Sequence, residues 1–126
     1  MKIFGHPWIK YEKFYPVNSI DEIKETPPNS IVSIEPLPST VELAKYCQAN
    51  SLDYTLRVEN IREAIFANLL KARYIISNRA LAKELVPIAQ NYLFDTEILV
   101  EISQEIEIEE IAKAGIDGAI FTKEIF

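Results

Sequence analysis

Glycine is scarce in this chain: only Gly5, Gly115 and Gly118 occur among 126 residues. That excludes a glycine-rich phosphate cradle, since both the dinucleotide fingerprint and the P-loop need several glycines close together for the backbone to approach a phosphate. Histidine and cysteine are scarcer still, one each, at His6 and Cys47. A lone cysteine forms no internal disulfide, and one histidine with one cysteine falls short of a zinc-type ligand set. No metal or cofactor is therefore expected. Basic residues number 13 against 19 acidic, a net charge of −6, which opposes binding to nucleic acid or to an anionic membrane surface. No apolar run approaches the roughly 18 residues of a spanning helix, and no charged-then-apolar leader opens the sequence. A reducing cytoplasm is the expected compartment.

What is present is a rhythm. Apolar β-like runs recur at Ile31–Ile34, Tyr54–Val58, Tyr74–Ile76, Ile98–Ile102 and Ala119–Phe121. Helix-patterned segments separate them, one unit following the next roughly every 22 residues, as in strand-helix repeats. Ser19-x-x-Glu22, Ser39-x-x-Glu42 and Asn60-x-x-Glu63 read as capping boxes, in which a short side chain accepts from a free backbone N–H and the acidic residue reaches back. Asn78 and Ser103 are further N-caps. The predicted helices span 20–25, 40–50, 61–71, 79–93 and 104–114. Pro27-Pro28 stops the first, Gly115 supplies a left-handed C-cap to the last, and Pro87 should kink or break the fourth. Three helices carry an inward stripe: Leu43, Ala44 and Cys47; Ile61, Ala64, Ile65, Asn68 and Leu69; Leu81, Leu85, Ile88 and Ala89.

The strands are continuously apolar, the mark of a sheet covered on both faces. The predicted fold is one α/β domain over 1–126. It is a three-layer open parallel sheet of about five strands with helices on both faces, flavodoxin-like. The alternative is a half-barrel-like curl of TIM-barrel-like repeats, too short to close a (β/α)₈ barrel alone and completed by a partner such as a second copy. Residues 1–18 stand apart as an aromatic-rich arm or edge strand. Phe4, Trp8, Tyr11, Phe14 and Tyr15 crowd into it, and Phe14–Val17, with its proline, suits an edge. Phe4 and Trp8 read either as a lid over one end of the sheet or, with Tyr11, as a patch for a partner.

In a parallel sheet a ligand sits beyond the carboxyl ends of the strands. The residues gathered there are Glu35 and Pro36; Glu59 and Asn60; Ser77, Asn78 and Arg79; Glu101 and Ser103; Thr122 and Lys123, and Arg57 lies within the second strand. Glu35, Arg57, Asn78, Glu101, Thr122 and Lys123 are the candidate ligand-binding set. Glu101 is the most pointed, because a charge within a run of Ile, Leu and Val needs a partner or water, and Arg57 and Lys123 can provide one. General acid/base work by Glu35 and Glu101 would need a raised pKa and a defined separation, and no catalytic residue is assigned.

The segment 98–123 resembles a βαβ unit of the phosphate-binding (β/α)₈ barrels, such as the indole-glycerol-phosphate and thiamine-phosphate synthases. The residues that carry the likeness are the strand ending at Glu101, the helix Glu107–Ala114, and Ala114-Gly115-Ile116-Asp117-Gly118-Ala119-Ile120. The resemblance implies a phosphate site after the final strand, at Thr122-Lys123, where those families carry a Gly-Ser or similar pair. A response-regulator receiver is similar in strand count and in a lysine, Lys123, after the last strand. Where a receiver has its acidic pair only Glu35 stands, and Asn78 occupies the position of the phosphoacceptor, so phosphorylation chemistry is not expected. Two functions follow from the residues. One is a non-catalytic binding or self-association module, most simply a homodimer. The other is a site, perhaps enzymatic, for a small phosphorylated or carboxylated metabolite at the strand ends.

Overall fold

Seven parallel strands form one sheet in the computed structural model, which describes residues 1–124. They are β1 (Lys2–Phe4), β2 (Phe14–Pro16), β3 (Ile31–Ile34), β4 (Tyr54–Arg57), β5 (Tyr74–Ser77), β6 (Glu97–Ile102) and β7 (Gly118–Phe121). Five helices alternate with them: α1 (Ile20–Glu25), α2 (Val41–Ala49), α3 (Ile61–Leu69), α4 (Arg79–Asn91) and α5 (Glu107–Lys113), and a 3₁₀ turn, Thr122–Glu124, follows β7. No helix among the described residues is long and apolar enough to cross a membrane.

Local chemistry sets most boundaries. Ser19, Asn60 and Asn78 each accept from a backbone N–H of the first turn, at 3.1, 2.9 and 2.8 Å. Ser39 does not. Helix α2 starts after Thr40, whose hydroxyl donates instead to the Glu35 carbonyl at 2.6 Å. Helix α5 starts at Glu107 rather than 104, because residues 103–106 form a tight turn with i→i−3 bonds into Gln104 and Glu105 carbonyls. Helix α4 runs unbroken through Pro87. That proline is exposed, so the carbonyl it leaves without a donor, on Lys83, lies on the solvent side while Leu81, Ala82 and Leu85 hold the inner face.

The strand order is β1-β7-β6-β5-β4-β3-β2. From β2 to β7 each strand lies beside its successor, so the crossovers all advance in one direction and, being right-handed, place their helices on one face. Buried helix residues Ile23, Ala44, Cys47, Ala64, Ala67, Leu85 and Ile111 accordingly share one core with Val32, Ile34, Leu56, Ile75 and Val100. The opposite face carries a second core of Phe4, Phe14, Ile31, Tyr74, Ile76, Leu99 and Ile120, to which no helix among the described residues contributes. The expectation of helices on both faces is therefore corrected: a doubly wound sheet needs a reversal of strand order, and β2 to β7 show none.

The second face is buried by curvature. Strands β1 and β2 lie at opposite ends of the hydrogen-bonded order, yet the Phe4 and Phe14 rings meet edge to face with centroids 5.0 Å apart, and both contact Tyr74. The sheet is thus an open curl whose two edges are joined by side chains, and a half-barrel description accommodates it. Residues 5–13 lead from the carboxyl end of one edge strand to the amino end of the other, and Tyr11 packs on the inner core. At the amino ends Lys2 Nζ donates to Glu97 at 2.6 Å and to the Tyr74 hydroxyl at 3.2 Å. The Glu97 bond, more than any other influence, raises the lysine pKa.

Candidate functional site

Strand parity decides which side chains enter the mouth of the curl. Arg57 pairs in register with Ile76, and Glu101 with Ile120. Both isoleucines belong to the inner core, so the arginine and the glutamate point to the same inner face one step beyond it. They meet across β5, with Arg57 Nη1 3.4 Å from Glu101 Oε2, each side chain 27% exposed. Ser77, Asn78 and Arg79, from the end of β5 and the start of α4, complete a cavity of about 310 Å³ at the carboxyl ends of the strands. Asn78 caps α4, so the positive end of a 13-residue helix faces this cavity.

Arg79 is held by α5. Its guanidinium contacts Glu107 and bonds Glu110 at 2.8 Å, and Lys83 reaches the same Glu110 at 2.9 Å. The Glu107 carboxyl lies below its usual range, chiefly because it accepts from the backbone N–H groups of Ser103 and Gln104, with Arg79 adding to the effect. Glu110 is lowered foremost by its bond to Lys83. Both are anions at neutral pH and fix Arg79 in place. Arg79 Nε is buried and has no hydrogen-bond acceptor among the described residues, a donor whose desolvation is uncompensated by the protein.

Of the ligand-binding set, Arg57, Asn78 and Glu101 come together. The other three do not join them. Glu35 is exposed, and its carbonyl is taken by Thr40. Thr122 donates its hydroxyl to the Ile102 carbonyl at 3.1 Å, and Lys123 projects from the exposed 3₁₀ turn. Ser77 and Arg79 enter the cavity although neither was in that set; the signal for Arg79 was the N-cap at Asn78, which fixes the next residue in the first turn beside the strand end.

The three N-terminal aromatics divide. Phe4 is a core residue, 4% exposed, and so does not present a surface. Tyr11 is half-buried and donates to Glu124 at 3.0 Å. Trp8 stands out at 86% exposure. Its backbone N–H donates to His6 Nδ1 at 3.2 Å, which leaves the proton on Nε2 to face the Glu105 carboxylate. This contact, which the sequence did not suggest, fastens the N-terminal segment to the turn before α5. Among the described residues no group of three or more His, Cys, Asp or Glu is placed to hold a metal ion. Compared with protein-family models and with curated proteins, the chain matches none.

Proposed function

We propose that this domain is a non-catalytic binding module whose strand-end mouth takes a small phosphorylated or carboxylated metabolite. The observation that carries the reading is that two arginines, Arg57 and Arg79, line one cavity, with Glu101 paired to Arg57 inside it, together with the capped start of α4. An oxyanion there gains charge-assisted bonds from arginine and the field of the helix terminus. Carboxylates from β6 and α5 already hold both arginines, so little ordering entropy remains to be lost on binding. The size, about 310 Å³, suits a small metabolite rather than a nucleotide. Thr122-Lys123, the pair marked by the resemblance to phosphate-binding barrels, is outside this cavity, so the reading rests on the arginines.

Titration of ¹⁵N-labelled protein with inorganic phosphate and with citrate tests it, read at the arginine Nε–Hε resonances with sodium chloride as the ionic-strength control. Saturable shifts at Arg57 and Arg79 are expected for at least one anion. Arg79→Gln should weaken that binding by about tenfold or more, the worth of one charge-assisted contact. Shifts no larger than those in chloride would sink the proposal.

A further inference from the structure

The mouth at the strand ends holds an acid as well as bases. Its lining residues, Arg57, Ser77, Asn78, Arg79 and Glu101, are all polar or charged, so it offers a ligand hydrogen bonds and charge rather than an apolar wall. Glu101 has capacity to spare. A carboxylate presents about four acceptor sites, and among the described residues the Glu101 side chain accepts one bond, to Oε2, from Arg57 at 3.4 Å. That contact is longer than a usual charge-assisted pair. Ser77 is an acceptor too: its hydroxyl donates to the Asn78 carbonyl at 3.1 Å, which leaves the lone pairs of its oxygen for another donor. On the donor side, Arg79 Nε has no acceptor among the described residues.

Charge around the mouth is balanced. Arg57 is matched by Glu101, and Arg79 and Lys83 by Glu107 and Glu110, three cations against three carboxylates. The adjoining cavity, which shares Asn78 with the mouth, is lined by Glu59 and Glu84 against Arg62. A ligand that is only an anion finds donors here but no surplus of positive charge, and it shares the cavity with Glu101. A ligand that brings its own cation adds no net charge and offsets that carboxylate.

We infer, resting on the reading of the mouth as a metabolite site, that its ligand is an amino carboxylate: a small α-amino acid without a large apolar side chain. Its carboxylate lies toward Arg79 and the start of α4, and its ammonium donates to Glu101, so both contacts are charge-assisted. An ammonium has three donors to satisfy, and Glu101 and Ser77 supply acceptors within one cavity. A hydroxyl in its place bonds Glu101 without offsetting the charge. A phosphate in place of the carboxylate leaves the ligand with net negative charge at neutral pH, which the balanced mouth does not match.

Titration of ¹⁵N-labelled protein at neutral pH and constant ionic strength, read at the arginine Nε–Hε resonances, tests this with L-serine, L-glycerate, phosphoethanolamine and inorganic phosphate. Serine and glycerate differ only in ammonium against hydroxyl. Serine should bind about tenfold or more tighter than glycerate, and tighter than phosphoethanolamine. Glu101→Gln should remove the advantage of serine over glycerate, whereas Arg79→Gln should weaken both. A cooperative thermal melt establishes that Glu101→Gln is folded, and the serine–glycerate comparison in wild type stands without that variant. Glycerate or phosphate binding as tightly as serine would overturn the inference and leave the anion site standing. Tighter binding of phosphoethanolamine than of serine would overturn the carboxylate assignment, and a serine preference that survives Glu101→Gln would overturn the role of Glu101. No saturable shift with any of these compounds would remove the anion site as well.

Discussion

Cys47 shows how much the surroundings decide what a residue does. It has no solvent exposure, packed between α2 and the sheet, and burial pushes its thiol up to about 11 from 9.0. The thiolate is the reactive form, so a disulfide-based thiol probe at pH 8 should label the folded protein only as fast as it unfolds, and labelling at a free-thiol rate would contradict the packing. The same shift makes a stability statement. Between pH 9 and 11 the unfolded chain has lost this proton and the folded chain has kept it, so the stability present below pH 9 falls as pH rises, by ~2–3 kcal/mol once pH exceeds the folded value. Tyr54, raised mainly by burial, adds to the decline from about pH 10. Urea denaturation at pH 8, 9.5 and 10.5 should show a shallower fall in Cys47→Ala than in wild type; equal slopes would remove the thiol from the account. The cysteine's place on an apolar stripe was legible in the sequence. The pairing of Arg57 with Glu101 was legible too, since a glutamate inside an apolar strand must find a partner. The position of Lys123 was not, because a strand's parity says nothing about the turn that follows it.

At the scale of elements, helix ends are where sequence and structure correspond most closely, and they also hold the strain. Gly115 has φ 74°, and Ile116 N–H closes the 6→1 bond to Ile111 as a glycine C-cap predicts. Helices α2, α3 and α4 end in the same geometry with Ser51, Lys71 and Leu93 at the left-handed position, φ 54°, 65° and 52°. No sequence rule flags these residues, because a short loop fixed at both ends imposes the turn whatever side chain it carries. Lys71 is exposed and, among the described residues, bonds only through its backbone N–H, to Asn68. Lys71→Gly should therefore stabilise the protein by on the order of 0.5–1 kcal/mol, relief of left-handed strain exceeding the added entropy of the unfolded chain. An unchanged or lower midpoint in thermal denaturation would show that the strain is negligible. Helix faces were harder to read than helix ends. The stripe Ile61, Ala64, Ile65, Asn68 and Leu69 fits a helical period, yet Ala64 and Ala67 set the contact, because small residues let α3 approach the sheet and rotate its larger side chains toward α2 and solvent.

The whole molecule depends on how seven strands bury two faces with helices on only one. Continuous apolar strands do announce two covered faces, but hydropathy does not distinguish a helix layer from the sheet's own curl, so the sequence pattern points equally to three layers. The strand that completes the curl was the least legible: β1 has three residues and no flanking helix signal. Its docking is nonetheless tightly specified. Lys2 pairs with Gly118, and a Cβ on that glycine would lie 2.5 Å from the Lys2 backbone oxygen and 2.8 Å from Leu99 Cδ2. Neither neighbour can yield easily, since one is backbone and the other is fully buried. Gly118→Ala should thus displace β1 from β7, withdraw Phe4 from Phe14 and Tyr74, and open the seam on which the inner core closes. The expected cost is about 2–4 kcal/mol, the range for overpacking plus partial loss of a buried aromatic contact. Hydrogen exchange localises the effect. The amides that β1 shares with β7 should lose protection first, while β3, β4 and β5, each bonded on both sides, keep theirs. Uniform loss across all strands would mean that the curl and the helix-covered core unfold as one unit, and that β1 stabilises the whole sheet rather than its edge alone.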